Sequence, residues 1–107
     1  MRFEIELAPS AVAALKALPA RTRTTVREAL ERHLRHEPTK TSKSRIKRLR
    51  GLSRPQYRLR VDEIRVFYDV TASTVEVLAI ITKAEAHAWL DDVGTPDPKR
   101  GSGGGER

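Results

Sequence analysis

Residues 45–70 read RIKRLRGLSRPQYRLRVDEIRVFYDV, and this segment decides the fold. Its second half alternates apolar and polar residues twice, which is typical of two half-buried strands joined by a turn. The apolar positions are Tyr57, Leu59, Val61, Ile64, Val66, Tyr68 and Val70. If the two strands pair as a hairpin, Arg58, Arg60 and Arg65 lie together on the opposite sheet face. A core sheet does not need three arginines there, whereas an anionic ligand explains them.

Basic residues are concentrated around this hairpin. The formal net charge of the 107 residues is +7, and residues 38–61 contain no acidic residue. The basic residues in that range are Lys40, Lys43, Arg45, Lys47, Arg48, Arg50, Arg54, Arg58 and Arg60. Such clustering indicates a phosphate-binding surface. A solvated surface patch and a site for an acidic protein are the alternatives that composition leaves open.

The composition limits the class of protein. A chain of 107 residues with 38% hydrophobic and 33% charged residues predicts one globular domain with a modest core. The chain has no cysteine, which excludes disulfides and thiolate metal sites and is compatible with a reducing cytoplasm. No export signal and no apolar run of membrane-spanning length is present in the sequence. We therefore expect a cytoplasmic protein without a membrane partner.

The first third predicts one strand and two helices. Residues 2–7 alternate, so we expect a strand with Phe3, Ile5 and Leu7 inward. Ser10 is the predicted N-cap of a helix that ends before Pro19. A second helix follows over residues 20–35, and its apolar stripe consists of Val26, Leu30 and Leu34. These helices form a hairpin that covers one face of the sheet.

The middle of the chain predicts the remaining strands and their connections. Residues 46–49 are expected to form a short strand, and residues 51–56 a loop, because Pro55 cannot donate to a ladder. The Asp62-Glu63 turn lacks glycine, which favours a loop longer than a tight turn. A strand over residues 75–81 is apolar on nearly both faces and is therefore predicted to be central. Its first face is predicted to carry Val75, Val77, Ala79 and Ile81.

The C-terminal part predicts a capped helix and a tail. Thr82 and Glu85 have the spacing of a capping box, and the helix is expected to run to about Asp91. Trp89 is interpreted as the anchor that closes this helix onto the sheet. Residues 94–107 are rich in glycine and proline and predict a disordered tail. Together the elements predict an α+β fold, in which a strand and a helical hairpin pack on a small antiparallel sheet before a short final helix.

The order of these elements and three stretches resemble the RelE/ParE superfamily of bacterial toxins. The stretches are Leu-Arg-Gly at 49–51, Tyr-Arg-Leu-Arg-Val at 57–61 and Arg-Val-Phe-Tyr at 65–68. The likeness covers nearly all of residues 1–91 and is closer to RelE than to ParE. It implies a toxin domain over residues 1–93 with a microbial-RNase-like fold.

Members that resemble RelE cut mRNA in the ribosomal A site and are neutralised by an antitoxin encoded beside them. The resemblance therefore implies a type II toxin that inhibits translation as a metal-independent endoribonuclease and uses no cofactor. Its implied partners are a cognate antitoxin and mRNA on the ribosome.

The resemblance also implies site residues. It places the catalytic cations at Arg58, Arg60 and Arg65, which stay protonated and can orient and stabilise the phosphate. His87 is the candidate for proton transfer, because its ordinary pKa lies near 6.5. General RNA contacts are assigned to Lys43, Arg45, Lys47, Arg48, Arg50, Arg54 and Lys83.

Two positions depart from the pattern of the nucleases. Ala84 stands where an arginine is expected, and Leu90 stands where a tyrosine is expected. These departures leave two alternatives open, a ParE-like inhibitor of DNA gyrase and a non-toxic member that still binds its antitoxin. His33 and His36 have the spacing of a metal pair, but the sequence offers no third ligand, and no metal site is predicted.

Overall fold

A computed structural model describes residues 1–96 of the protein. Its main sheet has five strands in the order β1-β6-β5-β4-β2. These strands are β1 (Glu4–Leu7), β2 (Ile46–Arg48), β4 (Tyr57–Val61), β5 (Ile64–Val70) and β6 (Thr74–Thr82). The helices are α1 (Pro9–Ala17), α2 (Ala20–Leu34) and α3 (Lys83–Val93), and a separate two-stranded pair consists of β3 (Leu52–Arg54) and β7 (Thr95–Pro96). The predicted α+β fold is confirmed.

The predicted hairpin is formed by β4 and β5, but its turn is shorter than expected. Val61 pairs with Ile64, so only two residues connect the strands. Asp62 adopts a φ of 52°, which lies in the left-handed region. The prediction of a longer loop was wrong because aspartate tolerates this conformation better than most residues other than glycine and asparagine.

The sheet is antiparallel except at one edge. Strand β1 pairs in parallel with β6, in the register Ile5 to Val75 and Leu7 to Val77. The sequence predicted no direction for β1, and the strands β2, β4, β5 and β6 form the predicted antiparallel sheet. Because β1 and β6 are far apart in the chain, no tight turn fixes their relative direction.

Strand β6 is central, as predicted, but a bulge divides it. Phe67 pairs with Ala79 and Tyr68 with Val77, so Leu78 has no partner across the strand pair. The bulge shifts the alternation by one residue: Val77 lies in the main core with Ile80, whereas Ala79 shares a row with Phe67. The predicted single face through residues 75–81 is wrong beyond Leu78 for this reason.

Helix α1 starts two residues earlier than the sequence indicated. Its N-cap is Ala8, Pro9 is the first helical residue, and no side chain caps the helix. The predicted cap, Ser10, instead donates its hydroxyl to the carbonyl oxygen of the bulged Leu78 at 3.3 Å. A residue that suits a cap has therefore been used to satisfy the irregular strand.

Both helices of the hairpin pack on one face of the main sheet. The predicted stripe of α2 is buried and belongs to a core with the inward residues of the sheet. This core comprises Ala11, Leu15, Val26, Ala29, Leu30, Leu34, Ile46, Leu59, Val61, Ile64, Val66, Tyr68, Val75, Val77 and Ile80. Helix α3 lies over the other face, where Trp89 stacks on Phe67 with ring centroids 5.1 Å apart.

Two polar contacts tie the connection after α2 to the sheet. The Arg35 guanidinium pairs with Glu31 and donates to the carbonyl oxygen of Phe3 at 2.9 Å. The hydroxyl of Tyr68, which is fully buried, donates to the carbonyl oxygen of Pro38 at 2.6 Å. The chain between α2 and β2 is thereby held against the core, although it has no regular structure of its own.

The C-terminal predictions have mixed outcomes. The capping box of Thr82 and Glu85 is present at the start of α3, as predicted. The stretch predicted as a loop contains β3, which pairs with β7, so Thr95 and Pro96 of the predicted tail are part of a strand. Residues 97–107 lie outside the described part of the chain. None of the helices within residues 1–96 has the length and apolarity that a membrane span requires.

Replacing Tyr68 by phenylalanine tests the contact between the connection and the core. Tyr68→Phe should lower the free energy of unfolding by ~1–2 kcal/mol, because the buried carbonyl of Pro38 loses its donor. Urea denaturation followed by circular dichroism measures this change. Tyr57→Phe is the matched control, since the Tyr57 hydroxyl makes no hydrogen bond within residues 1–96, and it should change stability by less than about 0.5 kcal/mol. Equal effects of the two substitutions would contradict the role of the Tyr68 hydroxyl.

Candidate functional site

The pairing of the strands brings the three hairpin arginines onto one surface, which we call the arginine face. Arg60 stands directly opposite Arg65, and Arg58 stands opposite Phe67. Lys47 of the edge strand β2 is in register with Arg58 on its other side. Because the core residues of these strands point to the α1–α2 side, the arginine face is the opposite side of the sheet. The predicted clustering is confirmed.

Arg58 is the partly buried cation of this face. Its Nε atom is buried and has no hydrogen-bond partner within residues 1–96. Burial lowers the pKa of the Arg58 guanidinium, and the neighbouring charges of Arg65 and Arg60 lower it further. The guanidinium nevertheless stays protonated at any physiological pH. A partly desolvated cation with an unused donor is a favourable place for an anion.

Arg60 and Arg65 have different surroundings although they face each other. Arg60 is exposed, whereas Arg65 is only 6% exposed. Nη1 of Arg65 donates to the carbonyl oxygens of Asp62 at 2.7 Å and Ile64 at 3.0 Å. Its guanidinium is therefore already engaged by the hairpin turn. Arg58 and Arg60 remain as the cations that can reach a ligand directly, and Arg65 stabilises the hairpin turn that carries them.

Helix α3 does not bring His87 to the arginine face. Trp89 points to the sheet, and residues two positions apart on a helix point in nearly opposite directions. His87 is accordingly 92% exposed, and its Nε2 lies 3.4 Å from a carboxylate oxygen of Asp91. The two positions that depart from the family pattern are also on this helix, where Ala84 is exposed and Leu90 is half-buried.

Arg54 is neutralised by acidic residues. Its Nη1 lies 2.8 Å from Asp69 and 3.5 Å from Glu76. The Asp69 carboxylate also accepts from the backbone N–H of Gln56 at 2.7 Å. Burial raises the pKa of Asp69, although the Gln56 N–H and Arg54 oppose the shift. Arg54 therefore holds the β3 segment to the sheet and differs from the other predicted RNA contacts.

The other predicted RNA contacts are exposed and lie in four places. Lys47 belongs to the arginine face, and Lys83 lies at the start of α3. Lys43 and Arg45 precede β2, and Arg48 and Arg50 lie at its other end. All six side chains are accessible to solvent.

Arg45 turns towards helix α2. Burial lowers the pKa of His33, and the charges of Arg45 and Arg32 lower it further. Burial and these neighbouring cations therefore both favour the neutral form of the His33 imidazole. Its sequence neighbour His36 is exposed and contacts the Met1 carbonyl at 3.3 Å through Nδ1. In residues 1–96, no three His, Asp or Glu side chains come together as a metal site would require.

One feature of the basic segment escaped the sequence patterns. The guanidinium of Arg48 lies 5.2 Å from the ring centre of Tyr57, which itself stacks on Tyr68 at 5.5 Å. Arg48 is opposite Tyr57 only because β2 pairs with β4 in this register. The three-residue strand β2 carries too short an alternation to predict that register.

The sequence is similar to one known family of proteins. A family model described as the ParE toxin of the type II toxin–antitoxin system parDE matches residues 5–87. None of the curated proteins matches the sequence.

The solved structures that resemble the protein show the same fold. The RelB–RelE antitoxin–toxin complex from Methanococcus jannaschii contains a chain with a TM-score of 0.61 and 20% identity, and the match covers 78% of this chain and 96% of that one. For the archaeal RelE–RelB complex from Pyrococcus horikoshii OT3, the TM-score is 0.59 and the identity is 25%, and the match covers 78% of this chain and 97% of that one. For the RelBE2 toxin–antitoxin complex from Mycobacterium tuberculosis, the TM-score is 0.58 and the identity is 22%, and the match covers 77% of this chain and 99% of that one.

Arg60 and Arg65 form a matched pair for testing the arginine face. Arg65→Ala should lower the free energy of unfolding by ~1–3 kcal/mol, because the carbonyls of Asp62 and Ile64 lose a buried donor. Arg60→Ala removes the same chemical group from an exposed position and should change stability by less than about 0.5 kcal/mol. Chemical denaturation of both variants measures the difference. Equal stability of the two variants would contradict the structural role of Arg65.

Proposed function

We propose that this chain, which belongs to the ParE toxin family of type II toxin–antitoxin systems, arrests growth as a metal-independent endoribonuclease. Its substrate in this proposal is mRNA in the ribosomal A site, and its place of action is the cytoplasm. The observation that carries the proposal is the pair Arg58 and Arg60 on the arginine face, with Lys47 beside it.

These cations suit a scissile phosphate. Phosphodiester cleavage places more negative charge on the non-bridging oxygens in the transition state than in the ground state. Arg58 offers a partly desolvated guanidinium, and Arg60 offers an exposed guanidinium two residues away on the same strand face. Guanidinium groups bind phosphate oxygens through fixed pairs of donors. The pair therefore orients the phosphate and stabilises the charge that develops during cleavage.

Cleavage also needs a group that moves a proton. Arginine is a poor base because it stays protonated, and His87 points away from the arginine face. In the proposed step the 2′-oxygen attacks the phosphorus and gives its proton to solvent water, while the bond between phosphorus and the 5′-oxygen breaks. Lys47 is in register with Arg58 and carries an ammonium group that can donate a proton to the leaving 5′-oxygen. We assign this role to Lys47, with His87 as the competing assignment if α3 moves on the ribosome.

A second candidate function is inhibition of DNA gyrase by a toxin that catalyses no reaction. Two observations favour it: the matching family model is that of ParE, and the positions of the expected nuclease arginine and tyrosine are Ala84 and Leu90. In that case the arginine face would contact an acidic surface or DNA instead of cutting RNA.

The partner of the toxin is a cognate antitoxin in this proposal. A groove of about 500 Å³ runs between β1 and the two helices of the hairpin. Its lining consists of Ile5, Leu7, Val12, Leu15, Lys16, Arg27, Leu30, Glu31 and Arg35. An apolar floor with basic residues at the rim fits an amphipathic segment that carries acidic residues.

Substitutions on the arginine face test the nuclease. Arg58→Ala and Arg60→Ala should each slow mRNA cleavage by about 10²–10³, which is the effect of removing one preorganised donor from a charged transition state. Lys47→Arg keeps the positive charge but should abolish proton transfer, whereas His87→Gln should leave the rate unchanged. Cleavage is measured with purified ribosomes and mRNA, together with growth after induced expression.

Arg21→Ala is the control, because Arg21 is exposed in the first turn of α2, away from the arginine face, and it should retain full activity. The gyrase alternative gives a different pattern in the same cells. If mRNA stays intact while DNA supercoiling falls, the nuclease proposal is wrong and the second candidate is supported.

The groove predicts which substitution separates toxicity from neutralisation. Val12 is 36% exposed on the groove wall, so Val12→Asp should leave folding and toxicity intact. It should weaken binding of the adjacent acidic gene product at least about tenfold, since a carboxylate would face the apolar side of that partner. Pull-down and growth rescue measure the loss. Ala13→Asp, on the exposed side of the same helix, should still be neutralised, and rescue of both variants would place the antitoxin elsewhere.

A further inference from the structure

A second groove lies where the edge strand β2 runs into the segment that leads to β3. It has a volume of about 500 Å³ and is open to solvent. The lining residues are Thr41, Ser42, Ile46, Lys47, Arg48, Leu49, Arg50, Gly51 and Leu52. This volume lies within the range of pockets that bind small organic ligands. None of these residues is acidic, although three of them are cations.

Arg48 lines the groove and is the outermost of three stacked side chains, Tyr68, Tyr57 and Arg48. Tyr68 is fully buried and fixed by its hydrogen bond to Pro38. Tyr57 stacks on Tyr68 with an angle of 17° between the rings, and the Arg48 guanidinium covers Tyr57 at 5.2 Å. Tyr57 itself does not line the groove, so a ligand in the groove would contact these stacked side chains through Arg48.

The guanidinium of Arg48 is also held by a hydrogen bond. Its Nη1 donates to the carbonyl oxygen of Gln56 at 3.0 Å. A long side chain at a surface usually has many rotamers, and fixing it costs conformational entropy when a ligand binds. Here the protein has already fixed it. The planar group is therefore ready to stack against a flat ligand, and arginine planes are known to stack on unpaired nucleic acid bases.

The remaining walls supply a phosphate site and hydrogen-bonding groups. Lys47 and Arg50 are exposed cations on either side of Arg48 in the sequence. The hydroxyl of Ser42 accepts from the backbone N–H groups of Arg45 and Ile46, which leaves its own proton available as a donor. Thr41 contributes a second exposed hydroxyl to the same lining.

The position of Lys47 connects this groove with the arginine face. Lys47 is in register with Arg58, and it also lines the groove. A strand of RNA that crosses Arg58 and Arg60 can therefore continue over the edge of the sheet without meeting an acidic side chain among the groove residues.

We infer that the groove binds one nucleotide of single-stranded RNA, with the base stacked on Arg48 and the phosphate held by Arg50, while Lys47 lies on the other side of β2 at the boundary with the arginine face. The site rests on the proposed function, because it receives a nucleotide that flanks the one held at the arginine face. Its hydroxyl groups would read the edge of the base, so the groove contributes to the sequence preference of the toxin.

Titration of the full-length ¹⁵N-labelled protein with adenosine 5′-monophosphate tests the site. The amide signals of residues 49–52 should shift in a saturable manner. Arg48→Lys keeps the charge but removes the planar group, and it should weaken binding of the nucleotide about five- to tenfold, the lower part of the range for one stacked base. The same variant should bind inorganic phosphate as the unaltered protein does. Arg50→Ala should weaken both ligands.

Further measurements distinguish nucleotide binding in this groove from phosphate binding at the arginine face. Arg58→Ala should leave nucleotide binding in the groove unchanged even if it abolishes mRNA cleavage. If cleavage depends on Arg58 but residues 49–52 do not respond to the nucleotide, the groove proposal is wrong and the nuclease proposal stands. Equal affinity of Arg48→Lys and the unaltered protein for the nucleotide would also overturn the stacking site. Displacement of the nucleotide by hexaglutamate at equal or lower concentration would show a protein-binding groove instead.

Discussion

Arg60 and Arg65 lie directly opposite each other in the β4–β5 hairpin, and the charged face of the sheet depends on how their repulsion is accommodated. Like charges directly opposite on a sheet destabilise the pair of strands. Here the conflict is resolved by giving the two side chains different partners. Arg65 turns to the carbonyls of Asp62 and Ile64 and is buried, whereas Arg60 remains in solvent. The two-residue turn with its left-handed Asp62 is therefore part of the charged site.

This arrangement concentrates positive charge without a counter-charge. Arg58 lies two residues from Arg60 on the same strand face, the charges of Arg65 and Arg60 both lower its pKa, and its Nε has no partner within residues 1–96. Asp69 of β5 and Glu76 of β6 are paired with Arg54. A phosphate at Arg58 and Arg60 would relieve the repulsion among these cations, so ligand binding and the stability of the face favour the same state.

The helices and the edge strand give the two ends of the sheet different roles. At one end, an apolar groove between β1 and the α1–α2 hairpin offers a place for a partner helix. At the other end, β2 and the segment after it carry exposed cations around the ordered stack of Tyr68, Tyr57 and Arg48. Ser42 accepts from and donates to the backbone of Ile46, which satisfies outward polar groups of this edge strand. Both outward backbone groups of Ile46 are therefore unavailable to a further β-strand.

The sequence by itself determined the elements and the charged face. The period of two in residues 57–70 fixed which side of the hairpin each arginine occupies, because the pleat alternates regardless of tertiary context. The helical stripe of Val26, Leu30 and Leu34 and the capping box of Thr82 were equally local. Only the tertiary structure decided the parallel pairing of β1, the bulge at Leu78, the burial of Arg65 and the outward direction of His87. These depend on which distant strands meet and in which register, and the energies of such contacts are absent from any local pattern. The same holds for Arg48, whose place on Tyr57 exists only because a three-residue strand pairs with β4.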